Sequence, residues 1–179
     1  MSESPSGAGS AAGGVEGHRA AAPDAVHCAV LTVSDTRTPD SDSSGGLIRE
    51  TLNFAGHRVV DYQIVPDDPD RIRAIIQAWI ARADVQAILT SGGTGIAARD
   101  TTYDAIVGML DKRIDGFGEL FRMLSWQEVG AAAMLSRAIA GVAGDTLVVA
   151  MPGSANAVRL ALTKLIVPEL GHLVYEIGK

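Results

Sequence analysis

The chain has 179 residues and carries 15 Lys and Arg against 21 Asp and Glu, a formal net charge of −6 at pH 7. This acidic balance argues against a nucleic-acid partner, which needs a basic surface, and no apolar stretch reaches the length of a membrane span. A hydrophobic content of 47% suits one well-packed domain, and the single cysteine, Cys28 in an apolar run, predicts a reduced, buried thiol and a cytoplasmic location.

Residues 1–24 differ in composition from the rest of the chain. They are small and polar, with almost no large apolar side chains, so burial cannot offset the entropy of ordering them. They lack the basic start and apolar centre of a signal peptide. The sequence predicts a disordered tail over 1–24 and one folded domain over 25–179.

Strands and helices are predicted to alternate along that domain. Apolar runs predict strands over 27–33, 58–65, 85–90 and 146–151. A polar loop is predicted over 39–46, and helices over 47–55, 69–80, 102–110, 117–124, 130–139, 155–167 and, after Pro168, as far as 174. Asp68 followed by Pro69 is a typical helix start. This alternation predicts an α/β fold, with a mostly parallel sheet covered by helices on both faces.

Polar loops follow four of the predicted strands. Ser34 and Asp35 follow the first strand, Asp67 the second, residues 92–100 the third, and residues 153–154 the last. Ligands of parallel α/β sheets bind beyond the carboxyl ends of the strands, where these loops meet. We therefore expect one ligand site at this edge.

The glycine loop, residues 92–95, is the most informative of these stretches. Gly92, Gly93 and Gly95 allow sharp turns that present backbone N–H groups to one point, and Ser91 and Thr94 add hydroxyls. The alternatives are an anion-binding loop or a plain strand-to-helix turn. A P-loop is excluded because the loop contains no Lys, and a dinucleotide fingerprint is disfavoured because the loop lies in the third β/α unit.

Asp67 and Asp100 are the candidate catalytic acids. Two carboxylates beside a phosphate-binding backbone can hold Mg²⁺ while it bridges phosphate oxygens. The alternative for each is a helix N-cap. Asp68 is better placed to cap than Asp67 and is interpreted as structural.

Other polar residues have two open interpretations. Arg99 either stabilises phosphate charge or makes a surface ion pair, and Glu119 either faces the site or interacts favourably with a helix dipole. Asp42 and Ser44 either border the site or form an Asx-type turn. The four histidines lack metal-ligand spacing, so no zinc site is expected, and the absence of a Gly-x-Ser-x-Gly elbow disfavours covalent hydrolysis.

Five stretches in this order resemble the MoaB/MogA family of molybdenum cofactor biosynthesis. They are Thr90–Gly95, Arg99–Asp100, Asp115–Glu119, Ser136–Arg137 and Met151–Ser154. The similarity runs from about His27 to Leu173, and residues 121–130 look most like the MoaB branch.

The resemblance implies a three-layer α/β/α sandwich that assembles as a homotrimer or homohexamer. The implied reaction is adenylylation of molybdopterin by Mg·ATP with release of pyrophosphate, and the product passes to a metal-insertion protein. By motif, Asp67 and Asp100 match the catalytic acids, with Mg²⁺ between them and the phosphates. Residues 92–95 match the phosphate-binding loop, and Pro152, Gly153 and Ser154 lie near the nucleotide.

The chain departs from the family pattern at one position and keeps it at another. Many relatives carry proline where Tyr103 stands, so the start of this helix is expected to differ. Some MoaB-branch members lack the first acid, whereas Val65-Pro66-Asp67 retains it here, which favours an active enzyme. The competing hypothesis is a non-catalytic carrier or regulator that binds molybdopterin.

Overall fold

The computed structural model describes residues 22–179, so almost all of the predicted tail lies outside the described residues. Within them, the strands are β1 (His27–Val33), β2 (Arg58–Val65), β3 (Ala87–Ser91), β4 (Lys112–Arg113), β5 (Ile139–Ala143) and β6 (Thr146–Met151). The α-helices are α1 (Ser43–Phe54), α2 (Pro69–Ile80), α3 (Thr102–Val107), α4 (Asp115–Val129), α5 (Ala155–Ala161) and α6 (Val167–Ile177). A 3₁₀ helix covers Gly130–Leu135, and a π-helical segment covers Leu162–Ile166.

The six strands form one sheet in the order β2-β1-β3-β6-β5-β4. The first four of these are parallel, whereas β5 pairs antiparallel with both β6 and β4. The prediction of a mostly parallel sheet is confirmed. The four parallel strands bring the loops after β1, β2, β3 and β6 to one edge of the sheet.

Two apolar cores lie on opposite faces of the sheet. One core packs α1, α4, α5 and α6 against side chains such as Val30 and Leu89, and the other packs α2 and α3 against side chains such as Leu31 and Ile88. Neighbouring strand residues face opposite cores because successive side chains alternate across a strand. The domain is therefore a three-layer α/β/α sandwich.

Several predicted element boundaries were wrong. The helix predicted over 130–139 is a 3₁₀ helix that ends at Leu135, followed by strand β5. Both β4 and β5 were missed, because β4 has two residues and β5 is rich in small side chains with no alternating pattern. The third strand runs over 87–91 rather than 85–90, and α3 ends at Val107 rather than at residue 110.

The first helix begins inside the stretch predicted to be a polar loop. Asp42 is its N-cap, and the Asp42 carboxylate accepts a hydrogen bond from Gly45 N at 3.0 Å. The Tyr62 hydroxyl donates to the other carboxylate oxygen at 2.6 Å. Burial and this hydrogen bond raise the pKa of Tyr62 to about 12. The cap moves the helix start four residues upstream of the predicted one, to Ser43.

The carboxyl-terminal helices form a continuous helical run from Ala155 to Ile177. The sequence predicts a break at Pro168, which has no N–H to offer the Lys164 carbonyl. The π-helical segment ends two residues before Pro168 and shifts the hydrogen-bond register, and the run continues past the proline.

Predictions for the interior are confirmed at two positions. Cys28 is a free, fully buried thiol, and burial raises its pKa to about 12. Trp79 is buried, and its Nε1 donates to Asp61 Oδ2 at 3.0 Å. None of the helices within residues 22–179 is long and apolar enough to cross a bilayer.

Candidate functional site

The acidic cleft is a cavity of about 220 Å³ at the carboxyl ends of β1, β2 and β3. It brings together six of the predicted site residues, together with Val33 and Thr36. The six are Ser34, Asp35, Asp67, Gly93, Arg99 and Asp100. Residues up to 66 positions apart in the chain therefore meet at one place, as expected for parallel strands.

Asp67 is held from both of its neighbouring loops. Its backbone N–H donates to Asp35 Oδ1 at 3.2 Å. Its Oδ1 accepts from Thr101 N at 3.2 Å and from Thr101 Oγ1 at 2.8 Å. The bond to Asp35 holds the Asp67 backbone, and the two bonds from Thr101 fix the carboxylate through Oδ1, which leaves Oδ2 for a ligand.

Neither candidate acid is a helix cap. Asp68, not Asp67, caps α2 by accepting from Asp70 N at 3.0 Å and Arg71 N at 3.1 Å. Helix α3 has Thr101 in its cap position, and Asp100 Oδ2 instead accepts from Ala97 N at 2.9 Å. The N-cap alternative is therefore wrong for both acids.

The glycine loop passes directly against both carboxylates. Gly93 has a φ of +61°, and a Cβ on it would lie 2.6 Å from Asp67 Oδ2 and overlap Thr102 Oγ1. A Cβ on Gly95 would overlap the Asp100 carboxylate. These two glycines allow the backbone to approach the acids more closely than any other residue type would.

The donor set of the acidic cleft fits Mg²⁺. Asp35, Asp67 and Asp100 line it, and carboxylate oxygens are the ligands that Mg²⁺ prefers. Within residues 22–179, no three His, Cys, Asp or Glu side chains converge as a ready-made metal cage. A bound Mg²⁺ would keep waters and take its remaining ligands from substrate phosphates, as is usual for this ion.

A second cavity, the apolar pocket, adjoins the glycine loop. It has a volume of about 410 Å³ and is lined by residues 93–95, by Pro152, Gly153 and Ser154, and by α4 and 3₁₀-helix side chains such as Phe121 and Leu135. Gly93 lines both this pocket and the acidic cleft. The two cavities therefore adjoin at one residue.

Ser136 is a polar residue of the apolar pocket that the sequence analysis did not assign to the site. Its Oγ is buried and has no hydrogen-bond partner within residues 22–179. A buried hydroxyl without a partner is costly in a folded protein. It is therefore available to a polar atom of a ligand in the pocket.

Three predicted site residues make hydrogen bonds that hold the loops at the sheet edge in place. The Ser44 hydroxyl is buried and donates to the Gly153 carbonyl at 2.6 Å, which ties α1 to the loop after β6. Ser154 accepts from Ala157 N at 3.2 Å and caps α5 while lining the apolar pocket. Gly92 N donates to Met151 O at 3.1 Å, which joins the loops after β3 and β6.

Two further predicted residues lie away from the two cavities. The Ser91 side chain is fully buried at the end of β3, and its Oγ has no partner within the described residues. Glu119 is exposed in the second turn of α4 and lines a separate cavity of about 240 Å³ with Arg113 and Arg122. The structure does not bring Glu119 together with Asp67 and Asp100.

Comparison with known proteins gives consistent matches. The family model described as "Probable molybdopterin binding domain" matches residues 29–172. Molybdenum cofactor biosynthesis protein B of Halalkalibacterium halodurans is 56% identical over 166 residues, which cover 92% of this chain and 98% of the relative. The chain belongs to the MoaB/MogA family.

Solved structures of the MoaB branch have the same fold. A crystal structure of a molybdenum cofactor biosynthesis protein B is 52% identical with a TM-score of 0.85, and the match covers 88% of this chain and 98% of that one. The tungsten cofactor synthesizing protein MoaB from Pyrococcus furiosus is 37% identical with a TM-score of 0.79, covering 88% and 100%.

Arg137, in the motif Ser136–Arg137, makes contacts with the glycine loop that the sequence did not predict. Arg137 carries no predicted role beyond its place in the family pattern, yet its Nε donates to the Thr94 carbonyl, 43 residues earlier, at 3.1 Å. The ring of Tyr103 lies 4.8 Å from the Arg137 guanidinium carbon. Neither contact has a local sequence signal, because both depend on tertiary packing.

Proposed function

We propose that this protein adenylylates molybdopterin, using Mg·ATP and releasing pyrophosphate. One observation carries the proposal: Asp67 and Asp100 line the same cleft, and each carboxylate lies against a glycine of one backbone loop. Such a site holds phosphates and cations side by side. The proposal agrees with membership of a family whose matching model is described as molybdopterin-binding.

In the proposed reaction, an oxygen of the terminal phosphate of molybdopterin attacks the α-phosphorus of ATP. The bond from that phosphorus to the bridging oxygen breaks, and pyrophosphate leaves with the bond's electron pair. The attacking phosphate is already ionised near neutral pH, so the chain need not supply a general base. Its residues have to align the two phosphates and compensate their charge.

The acidic cleft supplies the groups for that task. Asp67 and Asp100 would hold Mg²⁺, which neutralises phosphate charge when bound. Backbone N–H groups of the glycine loop and the guanidinium of Arg99 can contact the phosphate oxygens. Thr101 keeps the Asp67 carboxylate in place before substrate arrives, and Asp35 holds the Asp67 backbone.

The apolar pocket suits the ring system of molybdopterin. Its walls are mainly apolar, as expected of a pocket for a flat heterocycle, and the buried Ser136 hydroxyl can bond a ring heteroatom. Because Gly93 borders both cavities, a phosphate attached to a ligand in this pocket can reach the acidic cleft.

Turnover of fresh molybdopterin with ATP and Mg²⁺, followed by the mass of the product, tests the proposal. Asp67→Asn and Asp100→Asn should each lower turnover about 100-fold, the loss typical of removing one electrostatic stabiliser. The matched control is Asp70→Asn, because that side chain is almost fully exposed on α2. Equal turnover in all four proteins would exclude a catalytic role for the acids.

The alternative function is that of a molybdopterin carrier or regulator without catalysis. It is favoured by the apolar pocket, which is larger than the acidic cleft and can hold a ligand without it. A carrier gains no thermal stability from ATP, whereas a nucleotide-binding enzyme is stabilised by mass action when Mg·ATP is added. Molybdopterin binding without Mg·ATP protection and without product would establish the carrier.

We also propose that the protein is a homo-oligomer, a trimer or a hexamer. Large apolar side chains are exposed along α4 and the 3₁₀ helix: Leu120, Met123, Trp126, Val129, Met134 and Leu135. Several large apolar side chains left exposed on two successive elements, here called the apolar face, are typical of an interaction surface. A second copy of the chain would cover these side chains. We also propose a cytoplasmic location, where the adenylylated product would pass to a metal-insertion protein.

A further inference from the structure

We propose that Arg137 is a positioning residue that fixes the segment 94–100, and with it the Asp100 carboxylate, from outside the acidic cleft. The inference rests on the proposed function for its effect on turnover. Its physical basis is independent of that function, because it consists of contacts made without substrate.

Segment 94–100 has few bonds of its own. Within it, Asp100 N donates to Ala97 O at 2.9 Å, and Ala97 N donates to the Asp100 carboxylate at 2.9 Å. Ile96 is 70% exposed, so apolar packing does not anchor the middle of the segment. Something outside it must set its position.

Arg137 makes that connection at both ends of the segment. Its Nε donates to Thr94 O at 3.1 Å, and its Nη2 donates to the Gly95 carbonyl and to Asp100 O at 3.1 Å. One side chain therefore bonds three carbonyls on both sides of the turn. The backbone of Asp100 itself is among its partners.

The guanidinium is held in place by the start of α3. Its Nη1 donates to Asp104 Oδ2 at 3.1 Å, and it stacks on the Tyr103 ring. The side chain is only 26% exposed. Four hydrogen bonds from one planar group require the rigid fork of arginine, which a lysine ammonium cannot reproduce.

Arg137→Lys therefore keeps the positive charge and removes the planar set of guanidinium N–H donors. Without any substrate, the amides of residues 94–101 should exchange with deuterium roughly tenfold faster, because the segment opens more readily. Amides of β1 and β6 should keep their rates, which separates local loosening from global destabilisation. The matched control is Arg82→Lys, since Arg82 is 35% exposed and makes several side-chain hydrogen bonds, in its case to two carboxylates away from the glycine loop.

The effect on turnover has its own test. Arg137→Lys should lower turnover about tenfold or more in the parent, since misplacing a charged group weakens its action. It should lower the residual turnover of Asp100→Asn far less, because the two substitutions then remove one effect. Equal losses in both backgrounds would contradict action through Asp100.

If Arg137→Lys does not fold, a second variant tests the proposal. Asp104→Asn weakens one of the contacts that orient the guanidinium, and it should raise exchange in the same residues by a smaller factor. Unchanged exchange in the folded variants would overturn the proposal. If exchange is faster in the variants but the parent protein makes no adenylylated product, the positioning role is supported and the proposed reaction is contradicted.

Discussion

At Gly95, the absence of a Cβ allows the glycine loop to lie against the Asp100 carboxylate. Its φ is outside the left-handed region, so alanine can adopt the same backbone conformation, and the added methyl group would collide with the carboxylate. Gly93 differs, because its φ of +61° makes any side chain strained. Gly95 is therefore the position at which contact with an acid can be altered without backbone strain.

Gly95→Ala should lower turnover about 100-fold by displacing Asp100 from its working position. The free energy of unfolding should change little, because no residue of segment 94–100 belongs to either apolar core. The control is Gly116→Ala, where an added Cβ would meet no atom within 4 Å. Adenylylation assays and urea unfolding measure the two quantities, and unchanged turnover would show that the contact is dispensable.

His57 links stability to pH. The residue is buried and its Nδ1 accepts a hydrogen bond from Val26 N at 3.2 Å, which requires an unprotonated nitrogen. Burial lowers the pKa of His57 below its ordinary value of about 6.5. The unfolded chain therefore binds a proton at a higher pH than the folded one.

This difference predicts that stability is lost on acidification. The contribution of His57 should be complete above about pH 6.5 and should decline as the pH falls toward the lower pKa of the folded state. The His57→Asn variant keeps a side-chain acceptor at this position but does not titrate. Urea unfolding from pH 8 to 5 should show a smaller decline for the variant, and parallel curves would contradict the assignment.

At the scale of elements, the start of α2 separates a structural acid from a candidate catalytic one. Asp67 and Asp68 are adjacent, yet one faces the acidic cleft and the other caps the helix. Asp68 followed by Pro69 is a local signal that identifies the cap correctly. The Asp67 partners, Asp35 and Thr101, lie on other loops and have no such signal.

Asp68→Ala should lower the free energy of unfolding by about 1 kcal/mol through loss of the cap. Turnover should remain near that of the parent, because the Asp67 carboxylate keeps its bonds to Thr101. Asp70→Ala, in the same first turn, should change stability by less than about 0.5 kcal/mol. Chemical denaturation at fixed protein concentration measures both, and a large loss of turnover in Asp68→Ala would show that the two acids act together.

At the scale of the whole molecule, the exposed apolar face of α4 and the 3₁₀ helix lies beside the apolar pocket. Trp126 is 61% exposed on this face. Leu135 and Val129 belong both to the face and to the lining of the pocket. A second copy packed here would border the proposed pterin pocket.

Trp126→Glu should convert the oligomer to a monomer, because a charge in an apolar interface is costly to bury. Phe54→Glu is the matched control, since Phe54 is 96% exposed on α1 and lies outside the face. Light scattering at micromolar concentration distinguishes the states. A monomeric parent protein, or an oligomeric Trp126→Glu variant, would contradict assembly through this face.

The sequence alone determined the features that depend on neighbouring residues and on general rules of sheet geometry. Apolar runs located β1, β2 and β6, the pair Asp68–Pro69 located the start of α2, and parallel pairing placed the polar loops at one edge. These signals are short-range or follow from the right-handed crossover. They predicted that Asp35, Asp67 and Asp100 meet in one cleft.

Only the tertiary structure showed which residues at the ligand-binding edge of the sheet share a cavity, and which distant residues hold its loops in place. The short antiparallel strands β4 and β5, the separation of Glu119 from the acidic cleft and the bonds of Arg137 to the Thr94 and Gly95 carbonyls all depend on residues distant in sequence. Such contacts depend on how the layers pack, and no local pattern encodes that packing. The acids are therefore visible in the sequence, whereas the arginine that supports one of them is visible only in the fold.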